Sequence, residues 1–199
     1  MTTADPVTVE FSFADPGSAD THDAECAAGG VIEAVPDVTS PASCTLSLAA
    51  GWQTVTVMVT DDDGGSDSEP VAILVTQLAE LEIRPNAITL EEDDGEWEVD
   101  GPGTLRVYVF SSSGFDATSI IFTSVTLGDP ELAGVAQPTK ANARDRNRDG
   151  VADLVLKFKS RHLLANGAID TSTVMLELRA QTPNAPVIGW GPFKIRLDD

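Results

Sequence analysis

Apolar and polar residues alternate with a period of two at many points along this chain. The clearest runs are "VTVEFSF" (7–13), "QTVTVMVT" (53–60), "TLRVYVF" (104–110) and "VMLELRA" (174–180). A two-residue period places alternate side chains on opposite faces of a strand, so each run predicts a half-buried β-strand. Between them lie the turn clusters "DPGS", "DDDGG", "SSSG" and "RDG", rich in residues that adopt tight or left-handed turns. No sustained 3.6-residue period occurs; "RHLLANG" (161–167) predicts one helical turn at most. Many short strands with such punctuation predict an all-β chain of β-sandwich architecture.

With 199 residues, 42% of them hydrophobic, the chain can bury a sizeable core as one large or two ordinary domains. No stretch approaches the ~20 apolar residues that span a bilayer, and the N-terminus lacks a signal-peptide core. The expectation is a cytosolic protein or, better, a piece of a longer secreted one. The net charge of −20 is distributed unevenly: residues 1–83 contain no Lys or Arg. Such a half repels nucleic acid and anionic membranes, so neither nucleic-acid binding nor membrane insertion is expected. It leaves solvation or cation binding as the use of its carboxylates. The charge shift falls at "LAELEIR" (78–84), after the strand "VAILVTQ" (71–77), which predicts domains 1–78 and 79–199. So short a linker predicts restrained movement between them.

Two longer stretches carry a resemblance. "FSFADPGSADTHD" (11–23) and "AAGWQTVTVMVTDDDGGSDS" (49–68) are similar to the opening turn and the closing strand of PKD-type immunoglobulin-like domains, and the likeness covers most of residues 7–77. Where that family has a "WGDG" turn this chain has "AAGGVIEA", and little precedes Val7 to form a first strand. The edge of the sandwich is therefore expected to be incomplete, or supplied by "MTTADP". Residues 80–199 resemble a β-sandwich unit of bacterial secreted and surface proteins, through "AITL" (87–90), "LRVYVFSSSGFDAT" (105–118) and "GPFKIRL" (191–197). Cys26 and Cys44 fit no zinc pattern, and His22 and His162 do not complete one. They match positions where some PKD-like domains carry cysteines, so the resemblance implies a disulfide; two buried free thiols are the alternative. A disulfide would indicate an oxidising compartment, extracellular or at the cell surface.

The strongest chemical motif is "DRNRDGVAD" (145–153). Calcium takes six to eight oxygen ligands, and EF-hand-like loops supply them from positions 1, 3, 5, 7 and 9 with glycine at 6. Counting from Asp145 gives Asn147, Asp149, Gly150, the carbonyl of Val151 and Asp153; position 12 is Leu156, not the bidentate glutamate. An apolar strand follows, as in the calcium loops of FG-GAP and dockerin-type repeats that this stretch resembles. Arg146 and Arg148 occupy even positions and need not oppose the ion. The alternative is a polar, Asx-rich turn without metal. The acidic turns "DPGSADTHD" (15–23) and "DDDGGSDSE" (61–69) emerge at one end of an immunoglobulin-like sandwich. That would gather Asp15, Asp20 and Asp23 against Asp61, Asp62, Asp63 and Asp67, a second, weaker calcium site or a hydrated acidic apex.

Catalysis finds little support. Only two histidines are available to a triad, no "G-x-S-x-G" elbow occurs, and paired carboxylates carry no information in so acidic a chain. Trp52, Trp97 and Trp190 sit in strand-like contexts where core packing is the expectation; a sugar-stacking platform is the alternative. The expected function is a non-catalytic, calcium-stabilised extracellular spacer or adhesion module of a bacterial surface or secreted protein. Its partners would be the neighbouring modules of the parent protein and a protein or glycan ligand. The alternative, from another class, is a carbohydrate-binding accessory module of a larger secreted hydrolase.

Overall fold

A computed structural model describes residues 6–15, 20–101 and 103–198. The chain is all-β and divides after Thr76 into two compact units.

The first unit has six strands: β1 (Val7–Phe11), β2 (His22–Ala28), β3 (Val31–Val35), β4 (Ala42–Leu46), β5 (Gly51–Asp61) and β6 (Ser66–Val75). β1 and β4 pair antiparallel, and the other four form an antiparallel sheet in the order β3–β2–β5–β6. β2 and β3 form a hairpin over Gly29 and Gly30, both at positive φ. Two successive left-handed residues suit the right-handed twist of the strands, and glycine adopts that conformation without strain. The "AAGGVIEA" stretch thus replaces one turn chemistry with another. The core between the sheets is small: Cys26, Cys44, Leu46, Leu48, Val55 and Val75 lie at its centre.

The Cys26–Cys44 disulfide closes that core, with Cα atoms 6.4 Å apart. It joins β2 of the larger sheet to β4 of the two-stranded one, so one covalent bond ties the two layers of the sandwich. The two-stranded layer leaves β1 with a partner on one side. Beside it lies an open cleft of ≈ 370 Å³ lined by Val9, Phe11, Phe13, Val57, Val59 and Val71. All of "MTTADP" but Pro6 lies outside the described residues.

The second unit contains β7 (Gln77–Leu78), β8 (Leu81–Arg84), β9 (Ala87–Asp93), β10 (Glu96–Asp100), β11 (Thr104–Val109), β12 (Thr126–Gly128), β13 (Lys140–Arg144), β14 (Asp153–Lys159), β15 (Met175–Gln181), β16 (Pro186–Pro192) and β17 (Lys194–Asp198). Two four-stranded sheets, β13–β14–β11–β8 and β12–β15–β16–β7, are joined by a three-stranded ribbon, β10–β9–β17. Alternation decides which side faces in. Leu105, Val107 and Val109 of β11, Leu156 and Phe158 of β14, and Leu176 and Leu178 of β15 are buried and meet in one apolar core. The turn at 161–167 forms as α1 (Ser160–Ala165), which sinks Leu163 into that core. The charged segment 90–101 is a hairpin with a two-residue Asp94–Gly95 turn, Glu96 pairing with Asp93. No helix among the described residues is long and apolar enough to cross a membrane.

Replacing both cysteines by serine, or reducing the protein, removes the cross-link that limits the unfolded chain. Closing a loop of that size is worth about 3 kcal/mol. Urea unfolding of the first unit should shift by that amount, with little change in the second.

Candidate functional site

The loop between β13 and β14 is built around one buried carboxylate. Asp153 opens β14, pairs in register with Arg144 of β13, and is fully buried. Its Oδ1 accepts the backbone N–H of Ser111 at 3.0 Å, and its Oδ2 accepts that of Arg146 at 2.7 Å. Hydrogen bonds to the charged form are what make a buried carboxylate tolerable. The Ser111 hydroxyl in turn donates to the Ala152 carbonyl and accepts from the Ala117 N–H. Both ends of the loop are thereby fastened to the end of β11.

The remaining oxygens curl the loop on itself. Asp145 accepts N–H groups from Arg148, at 2.6 Å, and Gly150, at 3.1 Å. Asp149 accepts from the Val151 N–H and from the Asn147 amide. Asn147 Oδ1 accepts from the Asp149 N–H at 3.2 Å. Gly150 has φ of +90°, the left-handed turn for which the sixth position of such loops requires glycine. The arginines at the even positions leave the loop interior. Arg146 lies over the Tyr108 ring, 4.9 Å from its centroid, with Nε 4.0 Å from Glu82 Oε2.

The donor set at 145–153 fits calcium by its chemistry. It offers carboxylate, amide and carbonyl oxygens only, the hard ligands this cation selects. Each Asp153 oxygen that accepts one N–H still has a second lone pair. The Asp145, Asp149 and Asp153 carboxylates are not drawn within 4.8 Å of one another. Among the described residues that spacing is reached by Glu91, Asp100 and Asp198. These come from β9, β10 and β17 and are all exposed; only the strand register could have revealed them, and no metal is assigned to them.

At the end of the first unit the structure gathers part of the acidic set. His22 pairs with Asp61 in the β2–β5 register, which brings Thr21 against the β5–β6 turn. Thr21 and Asp62 exchange hydrogen bonds, the Thr21 N–H donating to Asp62 Oδ1 at 3.2 Å and the Asp62 N–H to the Thr21 carbonyl at 3.1 Å. Asp61 Oδ1 caps the turn by accepting the Gly65 N–H. Asp15 meets His22 Nε2 at 3.3 Å. Asp20 is exposed, yet its carboxyl is raised above the ordinary range by lost hydration and by the charges of Asp15, Asp62 and Asp61, with a hydrogen bond that its protonated form donates to Asp15 adding to it. On so exposed a group the crowding of like charges is the effect that matters. Of the other members, Asp63 alone stays on the β5–β6 turn, exposed. Asp23 accepts the Asp37 N–H, and Asp67 lines the cleft beside Val9 and Phe11.

The tryptophans correct the expectation of core packing. Trp52, Trp97 and Trp190 are 71%, 37% and 44% exposed. Trp190 donates its indole N–H to Glu177 Oε2 at 2.9 Å, and Glu177 also holds Arg179. Among the described residues the ring contact is between Phe13 and His22, so no two tryptophans form a stacked platform.

No known protein family matches the chain, and no curated relative is found. Solved structures with some likeness include a mixed-linkage glucan utilization protein, SGBP-B, of Bacteroides ovatus in complex with a heptasaccharide. Its TM-score is 0.31 at 13% identity, over 96% of this chain and 40% of that one. A Ca²⁺-stabilised adhesin with which an Antarctic bacterium binds ice gives 0.33 at 12% identity, over 98% and 45%. Zebrafish RET cadherin-like domains 1 to 4 give 0.26 at 13%, over 90% and 42%. The chain thus spans less than half the length of each. Likenesses this distant carry no weight for function, and the all-β sandwich architecture rests on the strand pairing itself.

Two outcomes follow from this geometry. Asp153→Ala leaves the Ser111 and Arg146 N–H groups without their acceptor and should cost about 3 kcal/mol in thermal or urea unfolding. The loss should persist in EDTA, because the anchor is part of the fold. Asp20→Asn should raise the melting temperature at neutral pH. A raised carboxyl pKa means that the folded chain disfavours the ionised form, a penalty complete above the folded pKa and absent below the ordinary value of 3.8. Melting curves from neutral pH downward should show the gain vanish as pH falls through that range.

Proposed function

We propose that this chain is a non-catalytic extracellular module, two tandem β-sandwiches stiffened by a disulfide and by calcium at residues 145–153, and that it serves as a spacer or adhesion segment of a bacterial surface or secreted protein. The observation that carries this reading is the 145–153 loop: five oxygen-bearing positions wound over a glycine turn and fastened to β11 by a buried aspartate. The side chains of Asp145, Asn147, Asp149 and Asp153 and the carbonyl of Val151 would hold the ion, whose role is to fix a loop of mutually repelling carboxylates. The Cys26–Cys44 disulfide supports an oxidising compartment. The apex formed by Asp15, Asp20, Asp61 and Asp62, with Asp63 on the same turn, would take a second and weaker calcium ion where a neighbouring module completes the ligands; Asp67 is left out of that set.

A second reading, a carbohydrate-binding accessory module of a larger secreted hydrolase, is favoured by the exposure of all three tryptophans. It ranks behind the first because the rings stand singly, and sandwich folds host many unrelated functions.

Calcium that binds the folded state alone raises the melting temperature by mass action. At a hundredfold excess over the dissociation constant the gain is about 2.7 kcal/mol. Calorimetry with and without calcium should show that rise in the unaltered chain and its loss in Asp149→Ala. An unchanged shift in the variant would remove the loop from the calcium account.

A further inference from the structure

Seven of the chain's twelve basic residues collect on the outer face of one sheet, β13–β14–β11–β8, and its adjoining loop. Four of them stand in a single register row. Arg84 of β8 lies opposite Arg106 of β11, Arg106 opposite Lys157 of β14, and Lys157 opposite Lys140 of β13. Residues opposed in antiparallel strands share a face with Cβ atoms roughly 4.5–5.5 Å apart, and like charges so placed destabilise the pair. Arg144 and Arg148 extend the group and, with Arg106 and Lys157, line an open cleft of ≈ 720 Å³. Glu82 pairs with Arg84 and Arg146. Among the described residues no ion pair reaches Arg106, Lys140, Arg144, Arg148 or Lys157. A chain of net charge −20 therefore masses its cations where each raises the cost of the next.

We infer that this face binds a linear carboxylated polysaccharide, a polyuronate. Neighbouring strands are spaced about 4.7–4.9 Å apart, so the row presents one cation at each step of about a sugar residue's length. Carboxylates on successive residues of an extended glycan laid across the strands meet Arg84, Arg106, Lys157 and Lys140 in turn. The arginines take carboxylates through two parallel hydrogen bonds. Tyr108, half-buried in the row beside them, offers an apolar edge to a sugar ring. The phosphates of a DNA duplex, one about every 3.4 Å of axis on each strand, fall out of step with such a row. Of the carboxylates at this face, Glu82 is paired with Arg84 and Arg146, and Asp145 accepts the Arg148 and Gly150 N–H groups. At physiological ionic strength the Debye length is about 8 Å, so those on other faces do little to repel the ligand.

The inference deepens the adhesion reading by giving it a ligand class, and its test is separate from the calcium test above. The full chain is passed over immobilised polygalacturonate, in EDTA and again in calcium, with heparin and single-stranded DNA surfaces as comparisons. Retention on polygalacturonate in both buffers is expected, weakening steadily with added salt. Arg106→Glu with Lys157→Glu should weaken it at least tenfold, and Lys194→Glu with Arg196→Glu, an equal change of charge on β17, should leave it unchanged. Arg106→Gln with Lys157→Gln should also weaken it while keeping or raising the melting temperature, because it relieves like-charge repulsion; that separates lost binding from lost folding. Four results overturn the proposal: no retention, retention indifferent to the Arg106 and Lys157 changes, retention in calcium alone, or tighter binding to heparin or DNA. None of these touches the calcium-dependent melting shift, so the module reading stands or falls by its own measurement.

Discussion

The bond pair from Asp153 to the N–H groups of Ser111 and Arg146 sets the shape of the second unit's most distinctive surface. A carboxylate without solvent is costly unless donors replace the water it gave up. Here the donors belong to the end of β11 and to the far side of the 145–152 loop, so satisfying the charge also fixes where the loop leaves β13 and re-enters β14. The position of Asp145, Asn147 and Asp149 follows from that closure, and so does the stance of the arginines between them. One residue thus couples an acidic, oxygen-rich interior of the loop to a basic exterior.

The two units reach rigidity by different means. The second has a broad core to which both four-stranded sheets, the three-stranded ribbon and α1 contribute. The first has a small one of seven buried residues, Leu46 and Leu48 the largest of them. A two-stranded layer over a four-stranded layer buries little apolar area, and a covalent tie between the layers compensates, as it does in small secreted domains generally. The open cleft beside β1 is the visible mark of that thin packing.

Much of this architecture is legible in the alternation of apolar and polar residues. β1, β5, β11 and β15 fall within two residues of the runs that predict them, because each has one side committed to the core. β2 escapes notice, since its inward residues, Ala24, Cys26 and Ala28, are too small to give a strong apolar signal. The tryptophans mislead for a definite reason. In β16 the inward positions are Val187, Gly189 and Gly191, so the smallest residues face the core and the largest faces out, the reverse of the usual pattern. The "DRNRDGVAD" spacing identifies the loop, but not that Asp153 is its structural anchor, which depends on Ser111 some forty residues away. The cation row is invisible in sequence because Arg84, Arg106, Lys140 and Lys157 become neighbours only through the pairing of four strands.

The disulfide has a mechanical side as well. When a module is pulled by its two ends, load enters at one and leaves by the other. A sandwich without a staple pays out its whole contour as its strands peel apart. In the first unit the bond between Cys26 and Cys44 bypasses the eighteen-residue interval between them. Some 60 Å of extended chain, at about 3.3–3.6 Å per residue, is never released, and the hairpin of β2 and β3 is spared the pull. A flow that unravels the rest of the unit would leave a shorter tether and a relaxed remnant from which the fold can re-form.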